Sequence, residues 1–346
     1  MNNKNYEKYS NKGLTGMANI GNTCYLNSCL QLLSHTYELN DFLNEGTYKN
    51  KLNKIIDSVI LLEWDDLNNL MWKENCTISP GRFVNVLQNV AKKKNMEIFS
   101  GYDQNDSSEF LLFLIDCFHN ALSREVNMNI KGTIQGDKDK LATKCYEMMQ
   151  QMYKKEYSEI LNIFSGIQVT EITSLKNNKI LSMKPEPFHI LNLPIPNTKN
   201  PTLFECLDLY CEKEKMEGSN AWYNDETKTY ENIEKGNIFW SLPNILVIDL
   251  KRFTNSFQKI QKLVNIPIEN VNFTKYINGY DKEKYIYDLY GICNHSGNVL
   301  GGHYTCSIKN MNGKWYNYND TIVKEIPIEK LITPQNYCLF YRKKNN

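Results

Sequence analysis

The residue pattern changes character once along this chain, near Phe164, and that change limits the folds open to it. Before it, apolar residues recur at helical spacing. Ile55, Ile56, Val59, Ile60 and Leu62 mark a helix within Ile55 to Leu70, Pro80-Gly81 opens another that runs through Val90, and Ser107 to Ala121 carries the apolar face Phe110, Leu111, Leu114, Ile115 and Phe118. Lys140 to Ile163 gives a further helical stretch, interrupted by polar residues and rich in Met and Tyr. After Phe164 the period shortens. Ile167 to Ile172 alternates apolar and polar and can pair with Lys179 to Met183 across the turn Lys176-Asn177-Asn178. Prolines at 185, 187, 194 and 196 then exclude helix, Leu203 to Cys211 reads as a helix, and the polar stretch from Gly218 to Gly236 reads as a hairpin or extension. Ile245 to Leu250 has the composition of a buried strand, and strands and turns dominate from Tyr285 to Tyr341. Helices first and sheets second is an α+β arrangement.

With 346 residues, 41% of them hydrophobic, the chain is expected to form one elaborated domain with a real core. Lysine and arginine number 40 against 39 aspartates and glutamates, so nothing in the charge balance favours nucleic acid or an acidic membrane as partner. Met1 to Lys12 lacks an apolar core and is expected to be a disordered tail, neither signal peptide nor anchor, with Lys344 to Asn346 a second short tail. The most apolar run, Phe110 to Phe118, is too short to span a bilayer and contains Asp116. A soluble monomer is expected, with the cytoplasm as default location and the nucleus open. The ten cysteines are expected to be reduced, and Cys29, Cys117, Cys145, Cys206, Cys211, Cys293, Cys306 and Cys338 to be small inert core residues.

Cys24 is different. From Leu26 the apolar residues Leu26, Leu30 and Leu33 follow a helical period, and Asn22 or Thr23 can cap that helix. Cys24 then falls in the first turn, where unpaired N–H groups and the helix dipole favour a thiolate, so an easily ionised thiol is expected. A base is available far along the chain. Gly301-Gly302-His303-Tyr304 precedes Trp315-Tyr316-Asn317-Tyr318-Asn319-Asp320, giving a cysteine, a distant histidine, and an asparagine or aspartate to orient it.

These residues carry a resemblance that spans nearly the whole chain. Gly13-Leu14, then Asn19-Ile20-Gly21-Asn22-Thr23-Cys24-Tyr25-Leu26-Asn27-Ser28 and Leu30-Gln31, resemble the Cys box of the ubiquitin-specific proteases. The segments Tyr287 to Gly291, His295-Ser296-Gly297, Gly301 to Tyr304, Trp315-Tyr316 and Asn319-Asp320 resemble its His box. Between them, Gln104-Asn105-Asp106-Ser107-Ser108-Glu109-Phe110-Leu111 is similar to the family's Gln-Gln-Asp segment, with Asn105 in place of the second Gln. Leu250 to Phe253 and Tyr337 to Tyr341 match further strands.

The resemblance implies a papain-like fold: a helical thumb from about 13 to 164, β fingers from about 166–184 and 213–235, and a β-rich palm from the remainder of 13–343. It implies a thiol peptidase that cleaves after the last glycine of ubiquitin, with ubiquitin and ubiquitinated proteins as partners. Cys24 would be the nucleophile and His303 the base. Asn19 would donate to the oxyanion, and Asn319 would accept from the imidazole, taken as Nδ1–H, with Asp320 a support or partial substitute. Asp106 and Glu109 would meet the backbone or arginines of the ubiquitin tail, Gly301 and Gly302 would permit its close approach, and Tyr304 would wall its channel. For Asp106 and Glu109, helix capping is an equal alternative. His295 reads as a structural hydrogen-bonding residue. Many relatives hold zinc with two Cys-x-x-Cys pairs in the fingers, but Thr173-Ser174-Leu175-Lys176 and Trp222-Tyr223-Asn224-Asp225 stand in those places, so no metal and no cofactor is expected. An inactive ubiquitin-binding protein, or an isopeptidase for SUMO or NEDD8, is the alternative.

Overall fold

The computed structural model describes residues 6–299 and 301–344. Its helices are α1 (Cys24–Ser34), α2 (Tyr37–Asn44), α3 (Asp57–Lys73), α4 (Gly81–Lys93), α5 (Ser107–Leu122), α6 (Asp137–Tyr153), α7 (Glu159–Phe164) and α8 (Leu203–Cys211). Two short strands lie among the early helices, β1 (Gly16–Met17) and β2 (Thr77–Ile78). The finger strands follow as β3 (Gly166–Ser174), β4 (Ile180–Phe188), β6 (Glu214–Met216), β7 (Trp222–Asn224), β8 (Thr229–Glu231) and β9 (Ile233–Ser241). The palm strands are β5 (Ile190–Pro194), β10 (Ile245–Lys251), β11 (Val271–Asn272), β12 (Ile286–Asn298), β13 (Gly301–Lys309), β14 (Trp315–Asn319), β15 (Ile322–Ile326) and β16 (Asn336–Lys343).

The palm sheet runs β15-β14-β13-β12-β16-β10-β5, with β11 beside β12, and the fingers form a separate sheet ordered β4-β3-β9-β6. Helix α1 is buried along its whole length, so it acts as the axis between thumb and palm. Its approach depends on Gly291 of β12, where a Cβ would lie 2.4 Å from Leu32. One core joins α1, α3, α4 and α5 to one face of the palm sheet, while the other face packs on α8 through Leu203, Cys206 and Leu207. A smaller cluster seats Leu141, Ala142 and Cys145 of α6 on Ile167, Val169 and Trp240 at the base of the fingers.

Asp106 begins α5 by accepting from the backbone N–H groups of Ser108 (2.8 Å) and Glu109 (3.1 Å). The expected strand pairing of Ile167 to Ile172 with Lys179 to Met183 is present, with Ile172 opposite Ser182. The helix expected over Lys140 to Ile163 is instead broken after Tyr153. There the chain returns to the end of α5, Arg124 and Tyr157 exchange backbone hydrogen bonds (2.9 and 2.8 Å), and Arg124 pairs with Glu159. Helix α2 was not anticipated; it buries Tyr37, Leu39 and Leu43.

The disordered tail expected over 1–12 is corrected for residues 6–12. Tyr9 is buried and stacks on Tyr37 with ring centroids 4.5 Å apart, and its hydroxyl donates to Asp41 at 2.7 Å. Aromatic area removed from water outweighs the polarity of that segment. Residues 1–5 lie outside the described residues. At the other end Lys344 donates to Ile286 O, so the tail expected over 344–346 does not include Lys344; 345 and 346 also lie outside.

All ten cysteines are free, and of the eight expected to be buried only Cys211 is partly exposed. Among the described residues no group of three or more His, Cys, Asp and Glu is arranged to hold a metal, and no helix is long and apolar enough to cross a membrane. Within Trp222-Tyr223-Asn224-Asp225, Asn224 closes the β7-β8 hairpin. Its Oδ1 accepts from the Glu226 N–H and its amide donates to Glu231 at 2.6 Å.

Candidate active site

Cys24 is the first residue of α1, and the loop before it is shaped by left-handed backbone. Gly21 has φ 118° and Asn22 φ 52°, and the Asn22 amide is tied to the Tyr102 carbonyl at 3.0 Å. A Cβ on Gly21 would stand 3.2 Å from the Tyr102 ring, so this position needs glycine for both its angle and its space. Asn19 Oδ1 then accepts from Gly21 N–H (3.2 Å), Thr23 N–H (3.1 Å) and Thr23 Oγ1 (3.2 Å). The asparagine five residues before the thiol thus organises the loop that holds it. Thr23 makes no side-chain cap to the helix; its hydroxyl accepts from Ile20 N–H instead.

The other half comes from the palm. His303 lies on β13 and Asn319 on β14, and His303 Nε2 is 2.7 Å from Asn319 Oδ1. The nitrogen differs from the expectation: Nε2, not Nδ1, meets the asparagine. Asn319 Oδ1 only accepts, so Nε2 carries the hydrogen between them and, in the neutral ring, Nδ1 keeps the lone pair that a base needs. Among the described residues no hydrogen bond joins the Cys24 thiol to His303. The two halves are nonetheless adjacent, because α1 packs against β13 and Cys24 shares one buried core with Tyr304, the residue after His303.

Asp320 follows Asn319 but faces the other half. At φ 50° its backbone turns away from the strand, so its carboxylate accepts from Asn27 Nδ2 at 2.7 Å and from Asn19 Nδ2 at 3.1 Å. Its carbonyl accepts from Met17 N–H at 2.8 Å. Asp320 therefore fixes the loop that carries Cys24, while Asn319 fixes the imidazole. One of the two hydrogens on the Asn19 amide is engaged by Asp320, leaving the other for an oxyanion.

The expectation of an easily ionised thiol is corrected. Cys24 is only 3% exposed, and burial pushes its pKa above the ordinary thiol value. The Tyr304 N–H pulls it back down in part, and the Asp320 carboxylate adds to the rise. At the end of an occluded helix, desolvation outweighs the dipole.

The residues expected to meet the substrate divide. Glu109 is exposed in the first turn of α5. Asp106 is committed within the protein: one oxygen caps α5 and the other accepts from the Tyr337 hydroxyl. Gly301 and Gly302 are half-buried at the start of β13, and the small size of Gly302 is demanded by the enzyme itself. A Cβ there would lie 2.3 Å from both His295 Nε2 and Ser296 O. Tyr304 is 7% exposed, with its ring 4.6 Å from that of His295.

Three further residues shape the site. Gln104 accepts from Gly302 N–H at 2.7 Å, Asn27 holds Asp320, and Lys259 donates to His295. Gln104 and Asn27 stand inside the motifs quoted above, whereas Lys259 gives no sequence signal because its partner lies 36 residues away.

Comparison with known proteins finds relatives over nearly the whole chain. Ubiquitin carboxyl-terminal hydrolase 2 of Bos taurus is 30% identical over 342 residues, covering 96% of this chain and 55% of that protein. Ubiquitin carboxyl-terminal hydrolase Usp2 of Drosophila melanogaster is 32% identical over 339 residues, covering 96% of this chain and 35% of that protein. The Gallus gallus ubiquitin carboxyl-terminal hydrolase 2 is 30% identical over 345 residues, with 95% and 93% covered. The chain thus spans about half the length of the mammalian relatives it matches. In fold it is similar to the Ubp8-containing SAGA DUB module bound to monoubiquitin, with a TM-score of 0.75 at 24% identity over 99% of this chain and 71% of that one. The same module bound to ubiquitin aldehyde gives 0.73 at 24% identity, with 100% and 72% covered. Residues 15–341 match the sequence profile named Ubiquitin carboxyl-terminal hydrolase, and with Cys24 and His303 at either end of that match the chain belongs to the ubiquitin carboxyl-terminal hydrolase family.

Proposed function

We propose that this protein is a deubiquitinating thiol peptidase that cleaves the peptide or isopeptide bond after the last glycine of ubiquitin. The observation that carries the reading is a thiol at the start of α1, packed against the strand whose His303 imidazole is held by Asn319 at 2.7 Å. His303 Nδ1 takes the thiol proton as Cys24 Sγ attacks the glycine carbonyl, and the carbonyl π electrons move to oxygen. The second Asn19 amide hydrogen and the Cys24 N–H stabilise that oxyanion, a contribution of about 3 kcal/mol per donor in comparable sites. When the tetrahedral intermediate collapses, protonated His303 gives its proton to the departing lysine amine, leaving a thioester. Water, deprotonated by the same nitrogen, then releases the carboxylate and restores the thiol.

Glu109 is assigned to the arginines of the ubiquitin tail, since it is exposed in the first turn of α5 and its carboxylate has no partner in the described hydrogen bonds. Asp106 acts on the tail only through the position it gives α5. The partners are ubiquitin and ubiquitinated proteins, met by a monomer in the cytoplasm or nucleus; neither nucleic acid nor membrane takes part. A ubiquitin probe ending in an electrophile tests the reading, with SUMO and NEDD8 probes in parallel. One adduct with the native protein and none with Cys24→Ala is expected. Equal labelling of Cys24→Ala would sink the enzyme reading, and preferential labelling by another modifier would change the substrate.

A further inference from the structure

Behind the catalytic hairpin lies a buried histidine that the proposed reaction does not use. His295 on β12 is opposite Tyr304 on β13, and its neighbour Ser296 is opposite His303. It is 3% exposed and enclosed by rings: Tyr304 at 4.6 Å, and Phe253 and Tyr337 each at 5.8 Å between centroids. The remaining side is closed by Gly302, where even a methyl group would collide with Nε2. Into this slot reaches Lys259, whose Nζ stands 3.0 Å from His295 Nδ1 and 2.7 Å from the His295 carbonyl oxygen. An ammonium group only donates, so Nδ1 must present its lone pair, and the ring is the neutral tautomer with its proton on Nε2.

Resting on the peptidase reading above, we propose that Lys259 is a positioning residue: it keeps His295 uncharged and so holds the hairpin bearing His303 against Cys24. The contacts run from Lys259 to His295 and across the tilted ring pair to Tyr304, which follows His303 in the strand and shares a buried core with Cys24. A protonated His295 would be a cation among aromatic rings with no water, and relieving that cost requires the slot to open and Tyr304 to move. Burial, and next the Lys259 charge, hold the ring down at about 4, while Asp106 acts in the opposite sense. Asp106 is itself engaged by α5 and the Tyr337 hydroxyl, and the other nearby cation, Arg252, lowers Lys259 rather than neutralising it. Lys259 is half-buried, so its charge keeps access to water while the imidazole stays dry.

The test compares Lys259→Met, Lys259→Arg, His295→Phe and the double variant Lys259→Met/His295→Phe. Hydrolysis of a fluorogenic ubiquitin C-terminal amide is followed across the pH range of stability, and the imidazole resonances of otherwise identical Cys24→Ala proteins are titrated by NMR. With the suppressing charge gone and burial remaining, Lys259→Met should show an additional ionisation at about pH 5 to 6, and a loss of about tenfold in kcat below it with little change in KM. Lys259→Arg should behave as the native protein. The double variant should lack the extra ionisation, having no ring to protonate. In the NMR titration the His295 midpoint should rise by about one to two pH units in Lys259→Met. Identical His295 titration and identical pH profiles in native and Lys259→Met proteins would overturn the proposal, as would a kcat loss that persists unchanged in the double variant. Failure of the peptidase reading would look different: no turnover by the native protein, with the NMR shift still present.

Discussion

The two halves of the catalytic centre are built on opposite plans. The half that carries Cys24 is irregular, with left-handed residues at Gly21, Asn22 and Asp320 and side-chain hydrogen bonds joining Asn19, Asn27 and Asp320. The half that carries His303 is an ordinary antiparallel ladder, β12-β13-β14, on which the His303 ring meets Asn319 of the neighbouring strand. Adjacent residues serve the two separately, because the turn at Asp320 reverses the direction of its side chain relative to Asn319. An oxyanion site needs donors aimed at one point and therefore a custom loop, whereas a base needs only a fixed ring, which a strand supplies.

The deepest break would come from removing a reacting group. Cys24→Ala and His303→Ala should each lower kcat/KM on a ubiquitin substrate by at least about a thousandfold, and the double variant should be little worse than either, since the two act as a unit. Next, Asn19→Ala should lower kcat about a hundred- to a thousandfold while KM changes little, because an oxyanion exists only along the reaction. A kcat within a factor of about two of native would remove Asn19 from that role.

The contrast between neighbours is sharper still as a test. Asp320→Ala should lower kcat about tenfold by releasing Asn19, and should also lower the Cys24 pKa, since the Asp320 carboxylate helps to raise it. The pH dependence of thiol alkylation would report that second effect. Asn319→Ala should cost activity about tenfold to a hundredfold yet leave the thiol titration where it was. If both variants move the thiol titration alike, the division of labour between the halves is wrong.

The smallest effect concerns the ladder's junction with the thumb. Asp249 on β10 accepts from Ser108 of α5 at 3.0 Å, and burial, then Asp106, raise it to about 7. A carboxyl raised on folding contributes stability that is complete below its unfolded value of about 4 and is lost as the pH climbs through its folded one. Asp249→Asn should therefore melt a few degrees above native at pH 8, with the gain shrinking toward pH 4, as calorimetry at several pH values would show.

Much of this was legible in the sequence, and the limits have physical causes. The pattern change near Phe164 foretold helices followed by strands, and the segments around Cys24 and His303 named the thiol and the imidazole. Local periodicity also sufficed for α8, where a Thr202 to Glu205 capping box and apolar Leu203, Cys206 and Leu207 agree. The break between α6 and α7 was not legible, because it is made by Arg124, a residue 33 positions before Tyr157 along the chain and paired with it only in space. The same holds for Asp320, whose partners Asn19 and Asn27 are 301 and 293 residues away. The direction of the Cys24 shift was misread for a related reason. A helix start is visible in sequence, but the occlusion that outweighs it depends on how α1 and the palm close together.

That occlusion also governs which chemicals the resting protein meets safely. A sealed, protonated sulfur is a poor target for peroxide, small alkylators and stray disulfides, all of which need a thiolate and a path to it. A reagent delivered on a substrate's own tail has both advantages. The proposed nucleophile is thus spared adventitious damage, and its selectivity begins with how little of Cys24 is on view.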